Sequence, residues 1–294
     1  MTRVEYIETN TKRALGQVTG NLIQWSLNPY TGCVHRCTFC YVRGFERRAG
    51  RPSDDRYGTN IRVKVNIVEQ LRKELTTRSC AQGVTIGTAT DPYQPAEGRF
   101  RLTRGCIREL GAARVPTDII TRGPMIVRDI DVLTEAARCA PVRVNLSIPT
   151  VDLDVWRATE PSTAPPHQRF RAMRELTDAG IDTSIALAPL LPGISDTMES
   201  VRRVLEQARE NGACRAWVNT LNLRPGVYEH FMEALAQDFP AEVERYVAQY
   251  GSRPYLPGAM DKEIKFAVSA LKRQVGIADR RTNPIVPELQ LSLL

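Results

Sequence analysis

Three of the seven cysteines, Cys33, Cys37 and Cys40, lie within eight residues of one another, in the segment Asn28-Pro29-Tyr30-Thr31-Gly32-Cys33-Val34-His35-Arg36-Cys37-Thr38-Phe39-Cys40-Tyr41. The spacing is C-x3-C-x2-C. Three thiolates on one tight loop can hold three irons of a [4Fe–4S] cube. The fourth iron then lacks a protein ligand, and such an open site can take the amino and carboxylate groups of a small molecule. A reduced cluster there can pass one electron to a bound sulfonium, break its C–S bond and leave a carbon radical able to abstract an unactivated hydrogen. The competing chemistry is zinc, with His35 completing a Cys3His set in a zinc-stabilised nucleic-acid-binding protein without catalysis. Against it, His35 lies between two cysteines, and no second Cys/His pair occurs elsewhere. Structural zinc sites usually draw ligands from two separated loops. The other cysteines, Cys80, Cys106, Cys139 and Cys214, are isolated. The odd total argues against a disulfide framework.

Further polar groups cluster in segments that follow apolar runs. The first is Gly87-Thr88-Ala89-Thr90-Asp91-Pro92-Tyr93-Gln94-Pro95-Ala96-Glu97, where Pro92 and Pro95 stiffen the loop and deny it helix. The second holds Ser147 to Thr150, Glu160 and Arg169. A guanidinium fork at Arg169 suits a carboxylate, or else a salt bridge to Glu160. In the third, Leu190 to Asp196, Gly193 allows close backbone approach and Ser195 or Asp196 can cap the next helix. Tyr30, Tyr41 and Tyr93 lie near the same face. A tyrosine there either donates a hydrogen atom to a product radical, for which Tyr93 and Tyr41 are the candidates, or packs with its hydroxyl satisfied.

The elements that must position these groups are short apolar or β-branched runs at 21–27, 84–90, 117–121, 142–148, 183–189 and 216–221. Helical patterns are expected at 60–78, 101–113, 126–138, 166–179, 197–211 and 229–249. Ile67, Leu71 and Leu75, for instance, recur on one face. Six strand–helix alternations predict an α/β fold with a parallel sheet, and the long polar loops after strands one, two and four favour a partial (β/α)6 TIM-type barrel over an open doubly wound sheet. The expected organisation is an N-terminal extension (1–20), the barrel (21–250), and a C-terminal helix (261–275) and extended tail within 251–294.

The chain has 294 residues, 42% hydrophobic and 25% charged, with a net charge of +7. No apolar run is long enough to span a bilayer, and the polar N-terminus is no secretory signal, so a cytoplasmic location is expected. The positive charge mildly favours an anionic partner. Arg101, Arg104 and Arg108 share a face if helical, and Arg43, Arg47, Arg48 and Arg51 follow the cysteine trio. Two basic sets near one mouth suit a phosphate-bearing substrate. A solvated Arg-rich surface is the plainer reading.

At the cysteine trio and its flanks, NPYTGC and CTFCYVR, the chain resembles the radical S-adenosylmethionine (SAM) superfamily, and within it the spore photoproduct lyase-like branch. The resemblance runs from about Trp25 to Leu223. It implies a [4Fe–4S] cluster on Cys33, Cys37 and Cys40, SAM as cofactor, and an electron donor such as flavodoxin or ferredoxin. It implies Phe39 beside the adenine, Thr90 and Asp91 at the SAM amino group, Ser147 at the ribose and Arg169 at the carboxylate. Backbone after the fifth strand would pack on the adenine. The branch implies nucleic acid as substrate, in repair or modification, with Arg101, Arg104 and Arg108 guiding it. The alternative on the same scaffold is a nucleoside, peptide or small metabolite. One departure matters: where the lyase carries a hydrogen-donating cysteine, this chain has Thr88. The last residues, Gln290 to Leu294, resemble the short peptide by which bacterial DNA enzymes bind the sliding clamp, with Leu294 where Phe is usual.

Overall fold

The computed structural model describes residues 4–18 and 24–279. The chain begins with β1 (Glu5–Thr9), β2 (Leu15–Gln17), β3 (Trp25–Leu27) and the two-residue β4 (Tyr30–Thr31), which leads into the cysteine loop. Helix α1 (Val42–Arg48), β5 (Asn60–Lys64) and α2 (Ile67–Leu75) follow. Then come β6 (Val84–Ile86), α3 (Pro95–Phe100), α4 (Leu102–Ala112), β7 (Thr117–Thr121), α5 (Ile130–Cys139), β8 (Val142–Ser147), α6 (Leu153–Thr159) and α7 (Pro166–Asp178). The last elements are β9 (Asp182–Leu190), α8 (Met198–Glu210), β10 (Arg215–Thr220), α9 (Tyr228–Asp238), α10 (Val243–Tyr250), α11 (Gly258–Val275) and β11 (Ala278–Asp279).

The main sheet has the order β11-β10-β9-β8-β7-β6-β3-β2. Every pairing from β3 to β11 is parallel, and β2 pairs antiparallel with β3. The parallel strands follow chain order without reversal. Successive right-handed crossovers wind such a series into a partial barrel, whereas a doubly wound sheet reverses its order at a switch point. Its central strands are covered on both faces, as parallel strands must be: Val144 and Leu146 of β8 and Ile185 and Leu187 of β9 are buried on one face, and Asn145 of β8 and Ala186 of β9 on the other.

Three expectations need correction. The stretch 60–78 is not one helix, because its first residues form β5 and only Ile67–Leu75 is helical. Ile61 and Val63 are buried at a spacing of two, the period of a strand. The stretch 229–249 is two helices, α9 and α10, separated at Phe239 and Pro240. Neither Ser195 nor Asp196 caps α8. That cap is Thr197, whose hydroxyl accepts from the Ser200 N–H at 3.2 Å. Ser195 Oγ instead accepts from the Leu191 N–H and Asp196 from the Gly193 N–H, bracing the turn before the helix.

The extension and the C-terminal helix both join the barrel. β1 pairs parallel with β5, and β5 pairs antiparallel with β4, so a second sheet braces the strand that feeds the cysteine loop. Val268, Leu271 and Val275 of α11 enter the main core. A second apolar cluster joins Cys37 and Phe39 to Leu191, Leu221, Phe231, Tyr246 and Tyr250, so α9 and α10 pack against the cysteine loop. The Gln290–Leu294 segment lies outside the described residues.

Candidate active site at the cysteine loop

The cysteine loop lies at the C-terminal end of β3, where parallel-barrel enzymes place their chemistry. Cys40 closes it, with its N–H on the Cys37 carbonyl at 3.2 Å and its carbonyl on the Arg43 N–H at 3.1 Å. Close backbone approach holds the loop from behind. A Cβ on Gly58, at φ +78°, would lie 2.4 Å from the Cys33 carbonyl oxygen, so only glycine fits there.

The polar loop after β6 is stitched to the cysteine loop. Thr90 Oγ1 donates to the Gly32 carbonyl at 2.6 Å. Gln94 Nε2 donates to the same carbonyl at 3.1 Å and to Thr90 Oγ1 at 2.8 Å, and Gln94 Oε1 accepts from the Val34 N–H at 3.2 Å. Asn28 clamps Thr88 and Ala89 through its side chain. Asp91 is buried with both oxygens engaged. Oδ1 accepts from the Tyr93 N–H at 2.8 Å and Thr121 Oγ1 at 2.6 Å. Oδ2 accepts from the Arg122 N–H at 2.7 Å and lies 3.3 Å from His35 Nδ1. Burial alone would raise its pKa, but His35 and these donors hold it at about 2. Burial would likewise lower His35, but Cys33 and Asp91 raise it to about 10, so the pair is ionic. Thr90 and Asp91, expected to face the SAM amino group, thus spend their polar atoms inside the protein.

A second buried pair crosses the strand ends. Arg169, expected at the SAM carboxylate, has a side chain with 0% exposure. Its Nε donates to the Ala164 carbonyl at 2.7 Å, Nη1 to the Ser147 carbonyl at 2.8 Å and to Glu160 at 3.0 Å, and Nη2 to Thr163. The Arg169–Glu160 pair lies in the interior and not on the surface. Ser147 Oγ donates to the Ala188 carbonyl at 3.2 Å.

Arg122, at the end of β7, went unread in the sequence. Its Nε donates to Glu160 at 2.5 Å and its Nη2 to the Ala188 carbonyl at 2.8 Å. Its guanidinium lies 5.5 Å from the centre of the Phe39 ring. The side chain keeps 20% exposure, and Nη1 makes no hydrogen bond among the described residues. Arg122 sits in a Thr-Arg-Gly-Pro run after an ordinary strand. Position at a parallel strand's C-terminal end was the only signal that could have marked it.

The tyrosines divide. Tyr30 donates to Glu97 at 2.5 Å and is buried, and Tyr93 is buried near Asp129. Tyr41, 46% exposed, donates to the Thr88 carbonyl and so lies beside that residue. Of the basic sets, Arg104 is clasped by Asp129 and Asp131, while Arg101 and Arg108 are exposed. Arg43 is not surface decoration. It is buried and donates to the Ser53 and Asp54 carbonyls at 2.8 Å each. Arg47 and Arg51 pair with Glu229 and Glu46.

The donors of the cysteine loop are thiols, the soft ligands that iron–sulfur groups take. Cys33 and Cys40 pack with Tyr57 and Ala89, and Cys37 packs with Phe39 against Leu191 and Leu221. Among the described residues no three of His, Cys, Asp and Glu converge as one metal ion requires. His35, the ligand a Cys3His zinc site needs, gives Nδ1 to Asp91. Burial pushes the Cys37 and Cys40 thiols up, opposed by Arg122 at Cys37 and by Tyr57 at Cys40. Iron binding must displace those thiol protons.

The family model described as radical SAM superfamily matches residues 27–208. An uncharacterised protein of Mycobacterium tuberculosis (strain ATCC 25618 / H37Rv) is 34% identical over 99% of this chain and 86% of its own length. A protein of Pseudomonas phage M6 called radical SAM Nalpha-GlyT isomerase is 27% identical over 76% of this chain and 42% of its own. Among solved structures, a spore photoproduct lyase mutant with bound AdoMet and dinucleoside spore photoproduct superposes with a TM-score of 0.70 at 16% identity, covering 93% of this chain and 81% of that one. That last likeness is one of fold. Among the described residues no helix is long and apolar enough to cross a membrane. With its thiol loop at the mouth of a partial barrel and a family match across most of the parallel strands, the chain belongs to the radical SAM superfamily.

Proposed function

We propose that the chain is an enzyme that holds a [4Fe–4S] cluster on Cys33, Cys37 and Cys40, cleaves SAM reductively, and directs the resulting radical at a nucleic-acid substrate. The observation that carries the reading is the thiol trio stitched by Thr90 and Gln94 to the loop after β6. The chemistry supplied by such a cluster with SAM is reductive cleavage of a C–S bond to a carbon-centred radical. An external one-electron donor such as flavodoxin or ferredoxin would feed it.

The chain's own residues have distinct tasks. Phe39 offers an apolar wall for the adenine, and Arg122, whose Nη1 makes no hydrogen bond among the described residues, is the partner for the SAM carboxylate, with Glu160 holding its Nε. The buried Asp91–His35 pair keeps the cysteine loop and β7 in register behind the site. Tyr41 stands at the mouth beside Thr88 as the hydrogen-atom donor.

Nucleic acid is supported by the net charge of +7 and by the dinucleoside in the lyase of like fold. Thr88 in place of a cysteine argues against reversal of a dimer by the lyase's own hydrogen donor. One observation favours the second reading, a nucleoside, peptide or small metabolite: Arg104 of the basic set is already paired with Asp129 and Asp131. Formation of 5′-deoxyadenosine by the anaerobically reconstituted protein, measured with and without DNA at rising salt, decides between them. A DNA-dependent rise that salt abolishes supports nucleic acid. A yield indifferent to DNA, with no salt-sensitive binding, sinks it.

A further inference from the structure

Tyr57 has no place in the scheme above, yet it touches the cysteine trio. It lies in the turn between α1 and β5, with 2% exposure. Its hydroxyl is 3.5 Å from Cys40 Sγ and makes no other hydrogen bond among the described residues. The next residue, Gly58, presses against the Cys33 carbonyl. The Arg43 guanidinium lies 4.6 Å from the centre of the Tyr57 ring and donates to the Ser53 and Asp54 carbonyls, which fixes the turn that carries Tyr57. The phenol is therefore buried and held on two sides, with a sulfur as its partner.

A free thiol could take either role in that hydrogen bond. A sulfur bound to iron is a thiolate and has no proton to give, so the phenol must donate. Hydrogen bonds to ligating sulfurs stabilise the more negative, reduced cluster and raise its potential, as do other outer contacts of metal ligands. We infer that Tyr57 donates its hydroxyl hydrogen bond to the Cys40 sulfur of the assembled cluster and thereby sets the cluster's reduction potential. The inference rests on the reading that the three cysteines hold an iron–sulfur cluster. One electron enters the cluster from the external donor, and no atom of Tyr57 is transferred. Tyr57 acts through Cys40 and is a tuning residue, not a catalytic one.

Tyr57→Phe keeps the ring, its contact with Arg43 and its volume, and removes only the donor. The test uses the full chain, reconstituted anaerobically, with iron and sulfide content, the midpoint potential by EPR-monitored redox titration, and the Fe–S(Cys) stretch by resonance Raman in H2O and D2O. The expected result is equal iron content, a more negative midpoint in Tyr57→Phe, and a D2O shift in the wild type that the variant loses. A Tyr57→Phe cluster at the wild-type potential overturns the inference alone. So does a wild-type cluster blind to D2O, whether or not the variant assembles one. A wild-type chain that assembles no cluster overturns both this inference and the reading beneath it.

Discussion

Asp91 and Arg122 carry the residue-scale account. Asp91 takes donors from the loop after β6, from β7 and from the cysteine loop, and its carboxyl is held at about 2. A carboxylate lowered on folding stabilises the native state above its unfolded pKa, and that contribution is lost as pH falls through the folded value. Asp91→Asn is therefore expected to remove ~2 kcal/mol of stability at neutral pH and to flatten the decline between pH about 4 and about 2. Urea unfolding at stepped pH checks this, and parallel wild-type and variant acid limbs would refute it. Arg122→Ala removes the open guanidinium, and SAM binding is expected to weaken roughly 10- to 100-fold, as for loss of a charged hydrogen bond. Anaerobic calorimetric titration of the cluster-loaded protein measures it, and unchanged affinity would return the carboxylate to another partner. The cysteines were legible because their chemistry depends on spacing along the chain. Arg122 and the partners of Arg169 were not, because they depend on which strand ends meet in space.

At the scale of elements, α9 and α10 matter most. Phe231 is buried with Tyr246, Cys37 and Phe39 in the cluster that ties these helices to the cysteine loop, its ring 5.4 Å from that of Tyr246. Phe231→Ala is expected to cost about 3–5 kcal/mol through the cavity it leaves, and to speed iron loss to a chelator because Cys37 loses its backing. Thermal melting and the rate of bleaching of the cluster absorbance read the two effects. A variant that melts lower but bleaches at the wild-type rate would uncouple the helices from the loop. In the sequence these helices read as one, since the apolar pattern continues past Phe239 and only Pro240 marks the break. The same merging affects β5, whose alternation of Ile61 and Val63 runs straight into the helical pattern from Ile67. Short strands that abut helices offer too few residues for either period to stand out.

For the whole molecule, the alternation of strands and helices carried the fold. Parallel strands need both faces covered and a crossover between each pair, so the pattern repeats down the chain and survives local errors. What it could not convey was how the ends fold back. β1 binds β5, and α11 lies on the barrel, through contacts between segments far apart in sequence. Net charge was a weaker guide. Arg43, Arg47, Arg51 and Arg104 are all bound within the protein and leave fewer cations free than composition implied. The central claim is that this barrel presents three thiolates to one cluster that opens SAM. The direct measurement is anaerobic reconstitution with iron and sulfide, followed by reduction and quantitation of 5′-deoxyadenosine, for the wild type and for Cys33→Ala, Cys37→Ala and Cys40→Ala. The account predicts about four irons per chain and 5′-deoxyadenosine in the wild type, with both lost in each variant. A colourless wild-type protein that holds zinc and yields no 5′-deoxyadenosine would contradict it.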